Sequence, residues 1–284
     1  YSLRHGASHP RALVERAADH GMDTLALTDR DGAYGVVKFA KACAASGVRP
    51  VFGVDLAVAP TARSQGLGAR LAEVAVAAPG PLTAWSHGDH PAGRVLAARH
   101  GFARTRELWV MRRAAVVPLP AAEPPAGVRI RAFTDADADA LLAVNAAAFA
   151  THPEQGELDA TGLAERRAEP WFDAAGLLLA VDDTADAAAT GALLGFHWTK
   201  QHDEATGEVY VVGVSPTAQG RGLGRILTVA GLQHLAARGV DEVLLYVESD
   251  NAPARSLYTD LGFTHAPHDT HTQFRRAEVW TDSP

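Results

Sequence analysis

Apolar positions in the second half of the chain recur with two alternating rhythms, every second residue and every three to four. That mixture predicts strands interleaved with helices in an α/β sheet covered on both faces. A strand is expected at Val128–Phe133 and a helix at Asp135–Phe149, with Thr134 as its N-cap. A helix at Leu158–Ala168 precedes strands at Gly176–Val181 and Ala192–His202. Then come a strand over 207–214, a helix over 222–238, a strand over 242–249, a helix over 252–260 and a terminal strand region near 270–280. The opening is different: a helix at Pro10–His20, a strand at Thr24–Thr28, a turn at Asp29–Gly32, a helix near Val36–Ala45 and a strand at Val48–Val58 form a β-α-β unit. Residues 61–113 repeat only the second half of the later pattern, and the Pro-rich stretch Val116–Gly127 reads as an extended linker.

The segment Val212-Gly-Val-Ser-Pro-Thr-Ala-Gln-Gly-Arg-Gly-Leu-Gly224 is the most informative part of the pattern. A strand rich in β-branched residues runs into a Gln-x-x-Gly-x-Gly turn, and an amphipathic helix starts at about Leu223. Glycines at 220, 222 and 224 allow backbone conformations closed to other residues and leave no Cβ above the turn. The first turn of the following helix carries unpaired N–H groups and a partial positive charge, which suits a pyrophosphate. The helix leads to the strand Val243-Leu-Leu-Tyr-Val-Glu-Ser-Asp-Asn251 and then to a helix containing Tyr258 before Leu261-Gly-Phe263.

The same signature occurs twice. Arg63-Ser-Gln-Gly66-Leu-Gly68 repeats the turn, and Ala84–Phe102 repeats the strand, helix and Gly-Phe ending. Asp89 and Asp250 each stand 13 residues before their phenylalanine, so the copies align without a gap. Two copies imply tandem folds. The first has Ala97 where the second has Tyr258, and His90 where the second has Asn251, so it lacks the side chain with most chemical use.

Composition narrows the setting. The 284 residues suffice for two domains, 47% are hydrophobic, and no apolar run approaches the roughly 18 residues of a membrane span. With 26 basic and 33 acidic residues the net charge is −7, which gives no support for nucleic-acid binding through a basic face. Cys43 is the single cysteine, so no disulfide forms within the chain, and a reducing cytoplasm is expected. No basic or apolar leader precedes the first unit, and the missing initiator Met suggests that the chain starts within a longer reading frame.

The order of strand, Gln-x-x-Gly-x-Gly, helix, strand, Asn, and helix with Tyr and Leu-Gly-Phe resembles the GCN5-related N-acetyltransferases (GNAT), which bind acetyl-coenzyme A. More particular blocks are Thr151-His-Pro-Glu154, Ala164–Phe172, Leu194–Lys200, Glu208–Val214 and Leu244–Asn251. With the tandem layout, they resemble the mycothiol synthases over residues 61–284, about four-fifths of the chain. Separately, Tyr1–Ser8, Gly21–Asp29 and Gly47–Asp55 resemble the start of the PHP domain of bacterial DNA polymerase III alpha subunits. That family's His-x-His pair is absent and Arg30 stands at another of its histidine positions, so no metal site is expected, and with no palm domain in the sequence a polymerase is not expected either. The resemblances imply a PHP-like fragment at 1–58, a truncated N-terminal GNAT half-domain at 59–113, a linker at 114–127 and a complete catalytic GNAT domain at 128–284.

The mycothiol synthase resemblance implies transfer of acetyl from acetyl-CoA to the cysteine amine of a cysteinyl-glucosaminyl-inositol. Acetyl-CoA is the co-substrate. Its expected contacts are Val212, Gly213 and Val214 on the strand and Gln219, Gly220, Arg221, Gly222, Leu223, Gly224 and Arg225 in the turn. Asn251, Ala252, Pro253, Ala254, Arg255 and Ser256 are expected to complete the cofactor site. Glu208 is expected as general base and Tyr258 as general acid, with Glu154, Lys200, Glu208 and Tyr246 binding the acceptor. Structural alternatives stay open: Glu208 as an exposed strand-end carboxylate, Tyr258 as core filling, Lys200 as a solvated strand end. No metal is expected. The His265, His268, Asp269, His271 set reads as a polar loop, and His87-Gly-Asp-His90 aligns with Glu248–Asn251. The expected partner is a small-molecule amine bound by a monomer, with no membrane or nucleic acid. The hybrid N-terminus is expected to lower the activity; a GNAT enzyme for another amine, a peptide N-terminus or small molecule, and an inactive CoA-binding module are the alternatives.

Overall fold

A computed structural model describes residues 10–30, 36–55, 58, 60–77, 82–121, 123–150, 155–156, 158–183 and 192–276. The chain divides into two compact units, Tyr1–Pro81 and Leu82–Pro284.

In the first unit, helix α1 (Pro10–Asp19), strand β1 (Thr24–Arg30), helix α2 (Val36–Ser46), strand β2 (Arg49–Asp55) and helix α3 (Leu67–Val76) follow in order. β1 and β2 pair in parallel, from Thr24 opposite Arg49 to Arg30 opposite Asp55. A parallel pair needs a crossover, and α2 supplies it. Val14, Leu27, Phe39, Cys43 and Val48 form the core between strands and helices. The β-α-β unit read from the sequence is therefore present.

The second unit holds strand β3 (Leu82–His87), helix α4 (Pro91–Arg99), strands β4 (Ala103–Ala114) and β5 (Val128–Ala132), and helices α5 (Ala138–Ala148) and α6 (Ala160–Ala168). Strands β6 (Leu177–Asp182), β7 (Leu193–Gln201) and β8 (Thr206–Val214) lead to helix α7 (Leu223–Ala237), strand β9 (Glu242–Glu248), helix α8 (Ala252–Asp260) and strand β10 (Thr264–Arg276). One eight-stranded sheet runs β3-β10-β4-β9-β8-β7-β6-β5. Within it only β8 and β9 pair in parallel.

The division between the units falls at Pro81–Leu82 rather than near the expected 58, while β4 ends at Ala114 and β5 starts at Val128, on either side of the expected linker. The Arg63 turn and α3 lie in the first unit. β3 and β4, expected to belong with them in a half-domain, are strands of the larger sheet. β4 sits between β9 and β10, with Val110 opposite Tyr246 and Leu108 opposite His271. A twelve-residue strand exposes a full row of backbone donors and acceptors, and pairing on both edges satisfies them. The His265–His271 segment is likewise a strand rather than a polar loop, with an irregular register between His265 and Thr270. His265 stacks on Trp109 at 4.1 Å, and Asp269 pairs with Arg112 at 3.2 Å.

Helices cover both faces of the sheet, as the periodicity predicts. On one face α7 packs Val229, Leu232 and Leu235 against Val209, Val243, Leu245 and Val247. On the other, Leu141 and Val144 of α5 and Leu163 of α6 meet Leu177, Leu179, Phe196, Trp198 and Val211. The even-numbered residues Phe196 and Trp198 of β7 thus face α5 and α6, and His197 faces α7, where it lies 2.8 Å from the Leu227 carbonyl oxygen.

The His197 contact is close. A Cβ on Gly231 of α7 would lie 2.1 Å from the ring. Gly231→Ala is expected to destabilise the second unit by about 2–3 kcal/mol, the scale of overpacking a rigid core, as measured by urea unfolding. Complete burial pushes the His197 imidazole down to about 4 from an ordinary 6.5, so it is neutral in the fold. A folded pKa below the unfolded one means that the unfolded chain binds the extra proton. Stability is then full above about pH 6.5 and falls as pH drops toward 4, by on the order of 3 kcal/mol. Unfolding free energies at pH 7 and 4.5 test this, with a smaller loss expected for His197→Gln.

Candidate functional site

β8 determines the geometry of the site. Its register with β7 slips between Trp198 and Thr199, which face Val211 and Val209, so Tyr210 is an extra residue in a β-bulge. The bulge turns Tyr210 and Val211 to the same face, toward Trp198 and α5, and Val212 returns to the α7 face. On its other edge β8 pairs with β9 only from Thr206 opposite Glu242 to Val209 opposite Leu245. Beyond Val209 the strands part. The β9-facing backbone groups of residues 210–214 are thereby left to hydrogen-bond with something other than β9.

Where β8 ends, the chain turns into α7 through Gly220 (φ 78°) and Gly222 (φ 76°), and Gly222 caps the helix in the left-handed region. The first intrahelical bond runs from Ile226 N–H to the Gly222 carbonyl, at 3.2 Å. The preceding N–H groups thus open at the helix N-terminus, where a phosphate is stabilised. A Cβ at either glycine would meet nothing within 4 Å, so the space above the turn is open. The residues present fit the phosphates of acetyl-CoA. The earlier copy of the turn adopts the same backbone, with Ser64 at φ 62° and Gly66 at φ 77° capping α3.

The expected acceptor residues gather on the α5/α6 face of the sheet. Lys200 stands opposite Glu208, and Glu208 opposite Leu244, two residues from Tyr246. Paired positions share a face, so Lys200, Glu208 and Tyr246 lie on one side. Glu208 is buried and its Oε2 lies 2.7 Å from His202 Nε2. It is no exposed strand-end carboxylate. Lys200 is no freely solvated strand end either: its Nζ sits over the rings of Trp171 at 4.8 Å and Tyr210 at 5.5 Å. Burial, and next the Glu208 charge, push the half-exposed Tyr246 phenol above its ordinary value. Glu154 lies outside the described residues.

The remaining expected residues take other places. Tyr258 packs on the α7-side core, edge-on to Phe263 at 5.8 Å, and burial pushes its phenol up to about 12. Asn251 Oδ1 accepts from Ala254 N–H at 3.2 Å and caps α8. Arg255 stacks over Trp109 of β4 at 4.7 Å, and Arg225 approaches Asp260 at 3.8 Å. Gln219, Arg221, Ala252, Pro253 and Ser256 are exposed around the two helix starts. Sequence reasoning missed His202, Trp171, Tyr210 and Trp109. His202 meets Glu208 and Tyr210 meets Lys200 through the β7–β8 hairpin, and Trp171, in the turn after α6, packs against Lys200, Trp198 and Tyr210. A cleft of about 290 Å³ at the end of β9, lined by Arg104–Glu107 and Glu248–Asp250, holds none of the expected site residues. Its walls include the ion pairs Arg104–Glu107 and Arg106–Glu248.

Gly222→Val forces a branched side chain into a left-handed backbone and into the space above the helix N-terminus. Acetyl-CoA affinity is expected to fall on the order of tenfold or more by calorimetry. Unchanged affinity would remove the turn from the site.

Comparison with known proteins places this geometry. The profile of the Acetyltransferase (GNAT) family matches residues 145–263, and that of the PHP domain matches residues 1–147. The PHP match runs past Pro81 into β3, β4, β5 and α5, which the structure assigns to the larger sheet and its cover. The chain is 58% identical over 249 residues to a mycothiol acetyltransferase from Nocardioides sp., covering 82% of this chain and 84% of that protein. So long a match begins before Leu82. A mycothiol acetyltransferase from Salinispora arenicola is 50% identical over 232 residues, covering 79% of this chain and 73% of its own length. A GCN5-related N-acetyltransferase from Sphaerobacter thermophilus superposes with a TM-score of 0.62 at 26% identity, covering 77% of this chain and 70% of that one. The chain belongs to the mycothiol acetyltransferase family, with a GNAT fold, behind an opening segment that belongs to the PHP domain family.

Proposed function

We propose that the second unit transfers acetyl from acetyl-CoA to the cysteine amine of cysteinyl-glucosaminyl-inositol. The observation that carries this reading is the grouping of Lys200, Glu208 and Tyr246 on one face of the sheet, beside the opening between β8 and β9. The identity to mycothiol acetyltransferases supports the choice of acceptor. Acetyl-CoA supplies the activated acyl group. Its phosphates rest on Gln219–Arg225 and the start of α7, and its pantetheine arm pairs with Val212–Val214, extending the sheet. The start of α8, Asn251–Ser256, borders the same cofactor.

Glu208 removes a proton from the acceptor ammonium, because only the free amine carries the lone pair that attacks a thioester. N–H groups along Val212–Val214 hold the carbonyl oxygen as negative charge grows on it. Tyr258 keeps its proton at neutral pH, since burial holds its phenol near 12; it gives that proton to the sulfur as the C–S bond breaks, and the nitrogen's second proton, released to solvent as the amide forms, is matched by the proton that restores the phenol. Glu208 and Tyr258 lie on opposite faces of the sheet, so base and acid address the opening from two sides. Lys200, Tyr246 and Glu154 bind the hydroxyl-rich sugar and inositol. The enzyme works as a monomer in a reducing cytoplasm, without a metal, membrane or nucleic acid.

Glu208→Gln keeps shape and removes basicity. Its turnover is expected to fall by about 10²-fold or more, with acetyl-CoA affinity nearly unchanged. Steady-state rates with the cysteinyl pseudodisaccharide, beside a panel of peptide and aminoglycoside amines, check both base and acceptor. A normal rate clears Glu208, and a preference for another amine redirects the substrate assignment.

A further inference from the structure

Glu208 has a partner that the reaction as described does not use. The carboxylate side chain is 8% exposed and His202 37% exposed, with 2.7 Å between Oε2 and Nε2. The contact is held by a short hairpin. His202 N–H donates to the Thr206 carbonyl at 2.9 Å, and Asp203 Oδ1 accepts from Ala205 N–H at 2.9 Å and Thr206 N–H at 2.7 Å. His202 is thus tied to Thr206, two residues before Glu208, at the mouth of the β7–β8 turn. Charged and titratable groups around the pair include Lys200 from β7, Tyr246 from β9, and Asp203 and Glu204 in the turn. Lys200 is engaged with Trp171 and Tyr210.

A carboxylate withdrawn from water is biased toward its neutral, non-basic form, and a hydrogen bond donated to it reverses that bias. We propose that His202 is a positioning residue for Glu208. Its Nε2–H, donated to Oε2, fixes the carboxylate in one orientation, favours the ionised form, and leaves Oε1 to take the proton from the acceptor. This rests on the reading of Glu208 as base.

The test uses the full chain with His202→Phe, which fills the site without a donor, and His202→Gln, whose amide can donate to Oε2. In carbon-13 NMR of the glutamate carboxyls, with the Glu208 signal assigned by its loss in Glu208→Gln, the Glu208 titration is expected to move up by about one pH unit in His202→Phe. It should stay near the parent value in His202→Gln. In kinetics with acetyl-CoA and cysteinyl-glucosaminyl-inositol, kcat is expected to fall about tenfold in His202→Phe, the scale of one hydrogen bond to a charged group. The acidic limb of kcat/KM should move with the carboxyl, leaving the KM for acetyl-CoA unchanged. An unshifted Glu208 titration in His202→Phe overturns the proposal, whatever the rate. If His202→Phe does not fold by circular dichroism, His202→Ala takes its place. A normal rate in Glu208→Gln removes the base reading separately, and the carboxyl titration still decides whether His202 controls Glu208.

Discussion

The parallel pairing of β8 with β9 stops after Val209 and Leu245, and the arrangement of the site depends on that limit. Up to Val209 the two strands are locked into a sheet whose α7 face is packed with Val209, Val243, Leu245 and Leu232. Past it, β8 keeps β7 on one side and turns its other edge to an opening. Backbone donors and acceptors cannot stay unpaired away from water without a free-energy cost, so such an edge is a built-in place for an extended ligand. The bulge at Tyr210 falls at the point where the strands part. It re-aims the chain so that Glu208 and Val211 face α5 and α6 while Val212 faces α7. The glycine turn and the N-terminus of α7 then follow directly from the end of β8, which sets the anion site relative to the strand edge by covalent connection.

Around this frame the polar groups are placed by cross-strand register. Glu208 shares its face with Lys200 on β7 and with Leu244 and Tyr246 on β9 because paired residues point the same way. Each has a supporting contact: His202 for Glu208, the Trp171 and Tyr210 rings for Lys200, His271 for Tyr246 at 6.3 Å between rings. A buried carboxylate and a lysine held against aromatic faces lose rotamer freedom in advance, which lowers the ordering cost of any ligand they bind. Tyr258, by contrast, is embedded among apolar side chains of the opposite face, and its phenol stays protonated for that reason.

The repeated signature has two structural outcomes. Its glycine turn, Arg63–Gly68, keeps the left-handed geometry of Gly220 and Gly222, down to a positive φ at Ser64. Its strand–helix–strand ending supplies β3, α4 and β4 to the larger sheet, where β4 lies between β9 and β10 and brings Trp109 under Arg255 and Arg112 against Asp269. A strand of the first copy is therefore an internal strand of the sheet that carries the second copy's site.

Much of this was legible in the sequence, because it depends on local patterns. Periodicity located the strands 128–132, 177–182, 206–214 and 242–248 and the helices around them to within a few residues, and the glycine spacing identified the turn before α7. Glycine was required there because the backbone is left-handed, and this is a property of single residues. The β-α-β opening was legible for the same reason. Sequence pattern did not reveal what depends on pairing between distant segments: the insertion of β4 beside β9, the strand character of His265–His271, and the bulge that leaves Tyr210 unpaired. His202 carried no signal of its own, since a histidine in a polar turn looks solvated until the hairpin register brings its ring to 2.7 Å from Glu208. Local conformation is written in neighbouring residues. Which strand edge meets which is settled only by the global requirement that every buried backbone group finds a partner, and only the folded sheet shows how that requirement was met.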